Sequence, residues 1–257
     1  MKVVILSGGF GSRLSEYTKT IPKPLVTIGN KPLIWHLMKF YSTYGFNDFI
    51  ICAGYKGEEI KKYFLKLKKK QKINLLFNNK KEKQNFKNQK YIWKVRVVDT
   101  GLNTQTGGRI KKIKKFINEE NFFMTYGDGL SNVNIRQTLN FHYQKKKLAT
   151  VTIINPKSKF GSIRIDNNNH VTNFSEKPIT KEWINGGFFV LNRKIFKFID
   201  NSKTIWENLP MKRLTKSKQL VAFKHKGFWK PMDTLKDKFE MNKIWKSGKA
   251  PWNIWDK

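Results

Sequence analysis

The chain has 257 residues, of which 39% are hydrophobic and 14% aromatic, so it can bury one sizeable α/β core and is not expected to be disordered. Its formal charge is +34, from 52 Lys and Arg against 18 Asp and Glu, a balance that ordinarily points to nucleic acid or an anionic membrane. The carriers of that charge argue against both partners: Arg occurs only at Arg13, Arg96, Arg109, Arg136, Arg164, Arg193 and Arg213, and the Lys is spread along the whole chain, as in a compositional drift.

In chain order, Val3 to Leu6 reads as a first strand with no long apolar leader before it, and Leu33 to Tyr44 as an amphipathic helix stopped by Gly45. Phe49 to Ala53 reads as a buried strand. It contains the single cysteine, Cys52, so neither an intrachain disulfide nor a cysteine-based metal site is expected, and a reducing, cytoplasmic setting is. A helix from about Glu58 to Leu67 follows, then a polar, Lys- and Asn-rich stretch from Gln71 to Trp93 that reads as an insertion. Further strands are expected at Val95 to Val98 and at Phe122 to Thr125, the latter running into the turn Tyr126-Gly127-Asp128-Gly129, and a helix at Ile135 to Lys145. The second half is richer in strands, at Ala149 to Ile154, Ser162 to Ile165, Val171 to Phe174, Gly187 to Leu191 and Leu220 to Phe223. Their linkers are too short for helical crossovers, so mixed or antiparallel pairing is expected before a closing helix at Leu235 to Trp245. No stretch approaches transmembrane length.

Two local patterns carry chemistry. Leu6-Ser7-Gly8-Gly9-Phe10-Gly11-Ser12-Arg13-Leu14 follows the first strand directly, and its glycines let backbone N–H groups approach a polyphosphate while Arg13 supplies a fork of charged donors. A plain structural turn is the alternative, since neither a Rossmann fingerprint nor a P-loop fits the spacing. In Ile21-Pro22-Lys23-Pro24-Leu25 two prolines stiffen the backbone around one ammonium, which suits a phosphate contact or, equally, a rigid surface turn. Taken alone, Asp128 reads as the cap of a Gly-Asp-Gly turn and Asp233 as the N-cap of the closing helix. The histidines His36, His142, His170 and His225 stand in unrelated contexts and read as structural or solvated.

The glycine-rich segment followed by Pro22-Lys23-Pro24-Leu25 resembles the signature of the sugar-1-phosphate nucleotidyltransferase family, with Ser12 keeping the hydroxyl of the usual Thr. The segments Val98-Asp99-Thr100-Gly101, Thr104-Gln105-Thr106-Gly107-Gly108-Arg109, Tyr126 to Gly129, Phe174-Ser175-Glu176-Lys177-Pro178, Ile184 to Phe189 and Gly227 to Thr234 also recur in family order, so the resemblance covers essentially the whole chain. It implies an α/β fold with a Rossmann-like, mostly parallel (mixed) central sheet flanked by helices and a smaller β-rich substrate-binding part. One domain is expected over 1–257, with a nucleotide-binding half at about 1–147 and a sugar-binding half at about 148–257.

On the same resemblance Leu6, Ser7, Gly8, Gly9, Phe10, Gly11, Ser12 and Arg13 hold the nucleotide with Lys23, Gly127 and Asp128, Arg13 and Lys23 are also the catalytic cations, and Asp128 and Asp233 hold Mg²⁺. Glu176 and Lys177 are matched to the sugar and its phosphate, and Asn185, Gly186 and Gly161 to the hexose pocket. Thr104 and Arg109 are matched to nucleotide contacts that reach from a neighbouring subunit, which implies a homo-oligomer with shared active sites. Together the motifs further imply CTP and glucose 1-phosphate as substrates, with the cytidine preference resting on the segment from Asp99 to Arg109, joined by in-line displacement with release of pyrophosphate. A displacement by an already ionised phosphate oxygen needs no general base.

Overall fold

The structure is a computed structural model and describes residues 1–71, 73–77, 92–158, 160–179 and 182–256. Eight strands build one sheet: β1 (Lys2–Ser7), β2 (Asp48–Ala53), β3 (Ile73–Phe77), β4 (Trp93–Asp99), β5 (Asn121–Tyr126), β6 (Ala149–Ile154), β7 (Ile184–Asn192) and β8 (Leu220–His225). Their spatial order is β8-β6-β7-β5-β1-β2-β4-β3. Every neighbouring pair is parallel except those made by β7, which runs against both β5 and β6. The sheet is therefore mixed, as expected. The stretch read as an insertion instead contributes the edge strand β3, whose apolar Ile73, Leu75 and Leu76 pair with β4; the remainder of that stretch, 78–91, lies outside the described residues.

The helices are α1 (Leu33–Thr43), α2 (Gly57–Lys70), α3 (Thr106–Lys112), α4 (Ile135–Lys145), α5 (Leu209–Lys216) and α6 (Leu235–Lys246). Alternate residues of one strand serve opposite faces of the sheet. Val3 and Ile5 of β1 with Phe49 and Ile51 of β2 join the core packed by α1, α2 and α6, while Val4, Leu6, Ile50 and Cys52 join the core under α3 and Trp206. Burial on both faces explains why these strands are nearly continuous apolar runs with no polar side. At α6 the cap is Thr234, whose hydroxyl accepts from the Asp237 amide while Asp237 answers to the Thr234 backbone. The capping alternative for Asp233 is therefore replaced: Thr234 has taken that task, and the Asp233 carboxylate is directed elsewhere.

Gly107 and Gly108 make room for a close backbone approach. The amides of Gln105 and Gly108 donate to Ser202 O and Thr204 O at 2.9 and 3.1 Å, and the Trp206 amide donates to Thr106 Oγ1 at 2.8 Å. A Cβ on Gly108 would lie 2.3 Å from Ser202 O. Segment 202–206 is thereby pinned to the start of α3, which carries Arg109. Gly108→Ala must push two backbones apart and should cost about 1–3 kcal/mol, read as a lowered midpoint in thermal or denaturant unfolding.

Two histidines are built in neutral. His36 lies among Trp35, Trp245, Trp252 and Trp255 with Nε2 3.1 Å from Ile28 O, and burial lowers its pKa to about 4 from the usual 6.5. His142, between Thr150 Oγ1 and Asn121 Oδ1, is lowered to about 4 for the same reason. Because the unfolded chain binds these protons first, their contribution is complete above pH 6.5 and is lost as the pH falls toward about 4. The unfolding midpoint should fall across that window, and by less in His36→Gln than in the parent.

Candidate active site

At the carboxyl end of β1 the strand order reverses, with β2 continuing on one side and β5 on the other, and such switch points open a crevice in parallel sheets. A cleft of about 400 Å³ occupies it, lined by Leu6 to Arg13, Lys23, Pro24, 102–106, Arg109, Tyr126, Gly127 and Asp128. All thirteen residues matched to the nucleotide line this one cleft. Gly11 adopts φ 66°, and a Cβ there would meet Thr18 Cγ2 at 2.8 Å, so glycine is required for the turn to close. Ser7 Oγ is buried beside it without a hydrogen-bond partner among the described residues. Phe10 is half exposed and tilts over Tyr55, presenting an apolar wall opposite Leu102.

Arg109 underpins the turn. The residue is 4% exposed, and its guanidinium donates to Gly8 O (2.9 Å), Leu102 O (3.1 Å), Gly101 O (2.8 Å), Ala53 O (3.3 Å) and Thr100 Oγ1 (2.6 Å). Desolvation draws its pKa below the usual Arg value, yet an arginine remains charged at any working pH. A Cβ on Gly8 or Gly54 would sit 2.2 Å from this guanidinium, which explains both glycines. Thr104 and Arg109, which the resemblance matches to contacts reaching from a neighbouring subunit, line the cleft of their own chain. Their place follows from Gly101 and α3, which fold segment 100–109 back over β1 and β2.

The two aspartates, far apart in sequence, meet at one atom. Gly127 N donates to Leu6 O at 2.9 Å, setting Asp128 beside the glycine turn, and the short strands Gly129–Ser131 and Trp229–Pro231 pair antiparallel. Met232 N then donates to Asp128 O at 2.7 Å, which brings Asp233 alongside. Lys23 Nζ lies 2.8 Å from Asp128 Oδ2 and 2.8 Å from Asp233 Oδ1, and Arg13 reaches Asp233 Oδ2 at 2.7 Å. Lys23 is buried, its backbone held in a 3-10 turn between Pro22 and Pro24. Among the described residues no group of three or more His, Cys, Asp or Glu could hold a metal, so any ion here would have two protein carboxylates.

The residues matched to the sugar divide. Asn185 and Gly186 stand next to the cleft: Asn185 Nδ2 donates to the Tyr126 hydroxyl at 3.4 Å, and Gly186 O accepts from Trp229 Nε1 at 2.6 Å. Gly161, Glu176 and Lys177 do not line it. They belong to an exposed hairpin, Ser162–Ile165 paired with Val171–Ser175, where Glu176 and Lys177 pair with each other at 3.1 Å. Tyr126 and Glu207 were missed in the sequence. Tyr126 was visible as the residue before the Gly-Asp-Gly turn, whereas nothing local marks Glu207, which is brought in only by the docking of 202–206 on α3.

A family model described as nucleotidyl transferase matches residues 2–247. The chain is 45% identical over 260 residues, covering all of both chains, to the glucose-1-phosphate cytidylyltransferase of Salmonella typhi, and 44% identical over 256 residues to the probable glucose-1-phosphate cytidylyltransferase of Bacillus subtilis, covering 99% of this chain and all of that one. Among solved structures, HddC from Yersinia pseudotuberculosis superposes with TM-score 0.69 at 24% identity over 95% of this chain and 99% of that one. A UDP-glucose pyrophosphorylase complexed with UDP-glucose does so with 0.67 at 20% over 96% and 98%; at these identities they bear on the fold alone. Similarity that runs through nearly the whole chain, on a sheet whose switch point carries the glycine turn, makes this chain a member of the nucleotidyl transferase family.

Proposed function

We propose that the chain transfers a cytidylyl group from CTP to α-D-glucose 1-phosphate, giving CDP-glucose and pyrophosphate. The observation that carries this is the convergence of Asp128, Asp233, Lys23 and Arg13 at the mouth of the glycine-lined cleft. The two relatives named above are a cytidylyltransferase and a probable one acting on glucose 1-phosphate, over the full length of this chain, and they support the choice of base and sugar.

Mg²⁺ fits this site on its donor chemistry. Two carboxylates close on one cationic atom at equal distance, and a hard ion that takes one or two carboxylates, with phosphate oxygens and water for the rest, suits that pair. Asp128 and Asp233 would hold it, and when bound it would supply charge neutralisation on the triphosphate. The chain's own part is positioning. The Gly8 to Gly11 backbone receives the phosphates, and Arg109 beneath Gly8 fixes that turn and adds a buried positive charge. Arg13 and Lys23 offset the repulsion between two polyanions and the charge that grows on departing pyrophosphate. The attacking phosphate oxygen is already ionised, so no side chain need remove a proton.

On the family resemblance Glu176 accepts hexose hydroxyls and Lys177 meets the sugar phosphate, with 1–147 serving the nucleotide and 148–257 the sugar. A homo-oligomer belongs to the same proposal. The hairpin that carries Glu176 supports it, because Phe160, Ile163, Ile165, Val171 and Phe174 are each about 60% exposed or more, an apolar arm that a second copy could cover. No helix among the described residues is long and apolar enough to cross a membrane, which agrees with a cytoplasmic site of action.

Pyrophosphate release measured with glucose 1-phosphate across CTP, UTP, dTTP, GTP and ATP should favour CTP; equal use of dTTP would move the assignment to a thymidylyl transferase. Arg13→Ala, Lys23→Ala and Asp128→Ala should each remain folded and lose about a hundredfold in kcat, as when one preorganised donor is removed. Near-parent rates in two of the three would remove the site.

A further inference from the structure

We propose that Glu207 is a positioning residue that sets sugar specificity by turning the Tyr126 phenol into a hydrogen-bond acceptor for one hydroxyl of the hexose. This deepens the function proposed above and rests on it.

The proposal follows from counting protons on two hydroxyls. Glu207 accepts at Oε1 from the Tyr126 hydroxyl and at Oε2 from Thr106 Oγ1 at 2.6 Å. Each hydroxyl has one proton to give, and in each case the carboxylate takes it. The other contacts agree. Thr106 Oγ1 accepts from the Trp206 amide, so its proton has to point to Glu207. The Tyr126 oxygen accepts from Asn185 Nδ2 at 3.4 Å, and that amide is oriented by Gly187 N donating to Asn185 Oδ1 at 2.8 Å. Burial, with Glu207 adding to it, raises the phenol pKa well above its ordinary value, so the proton stays in place at any working pH.

Tyr126 and Thr106 both line the cleft. With their protons committed to Glu207, they offer it only lone pairs. A nucleoside triphosphate tail is itself made of acceptors and gains nothing from such a wall, whereas a hexose presents hydroxyl donors. The ring has little freedom to turn away, because a Cβ on Gly187 (φ 79°) would already lie 2.6 Å from it. Glu207 itself does not line the cleft, so it acts through Tyr126.

The test uses glucose 1-phosphate and its analogues carrying fluorine in place of one ring hydroxyl at a time, since fluorine cannot donate. The parent enzyme should reject the analogue fluorinated at the hydroxyl that meets the phenol by about tenfold or more in kcat/KM relative to glucose 1-phosphate, the cost of leaving the phenol oxygen unpaired. Glu207→Ala frees the phenol proton to point into the cleft, so that selective rejection should shrink to within about twofold, with KM for CTP unchanged. Tyr126→Phe, which deletes the oxygen and keeps the ring, should erase rejection at the same ring position. A purely structural Glu207 would lower activity on all the sugars alike.

The same position-specific pattern in parent and Glu207→Ala, with parent activity intact, would overturn this proposal alone. Unaltered rejection in Tyr126→Phe would do so as well. A parent enzyme that makes no CDP-glucose would overturn the proposed function and this inference together.

Discussion

The site depends on one ammonium held between two carboxylates. Lys23, Asp128 and Asp233 come from three separate stretches of chain, and each is delivered by a different device: a proline-flanked turn, a strand end tied to β1, and a short ribbon that pairs 129–131 with 229–231. Two carboxylates this close would repel each other in a partly buried setting without a cation between them. Lys23 therefore balances the charge of the two aspartates at this end of the sheet. The same charge balance makes the place receptive to a divalent ion and to phosphates, because whatever arrives must supply positive charge to the aspartates or accept it from Lys23 and Arg13.

Arg109 has a comparable role one layer down. A guanidinium that satisfies four carbonyls and a hydroxyl stitches the ends of β1, β2 and β4 to the loop over them. Lysine could not replace it, since a single ammonium lacks the planar fork that reaches Gly8 O and Gly101 O together. The glycine turn and the wall at 102–106 are in this way fixed to each other, which preorganises the cleft without help from its ligand.

Much of this was legible in the residues. Apolar runs identified β1, β2, β4 and β5, the glycine turn and Asp128 were readable because each directly follows a strand, and Lys23 because two prolines flank it. What the chain did not disclose locally were the long-range dockings. Ile73 to Phe77 is flanked by Lys and Asn, so its strand character shows only once β4 lies beside it. Nothing near the two glycines before Arg109 marks their task, which is the approach of Ser202 and Thr204. Glu207 is an ordinary acidic residue until that approach places it against Tyr126. Gly161, Glu176 and Lys177 flank an exposed hairpin and are not among the residues that line the cleft, so their match rests on family order alone.

The reversed direction of β7 has a consequence for how such an enzyme can diversify. In a wholly parallel sheet every strand reaches the crevice by its last residues, and whatever precedes it arrives at the far edge. Because β7 runs the other way, its first residues, Ile184 to Gly187, emerge beside the last residues of β5. The described part of the stretch between Ile154 and Ile184 forms a hairpin of its own, outside the register of the eight-stranded sheet. Lengthening, shortening or recolouring that stretch can change which small molecule is welcomed while leaving the eight-stranded frame as it is.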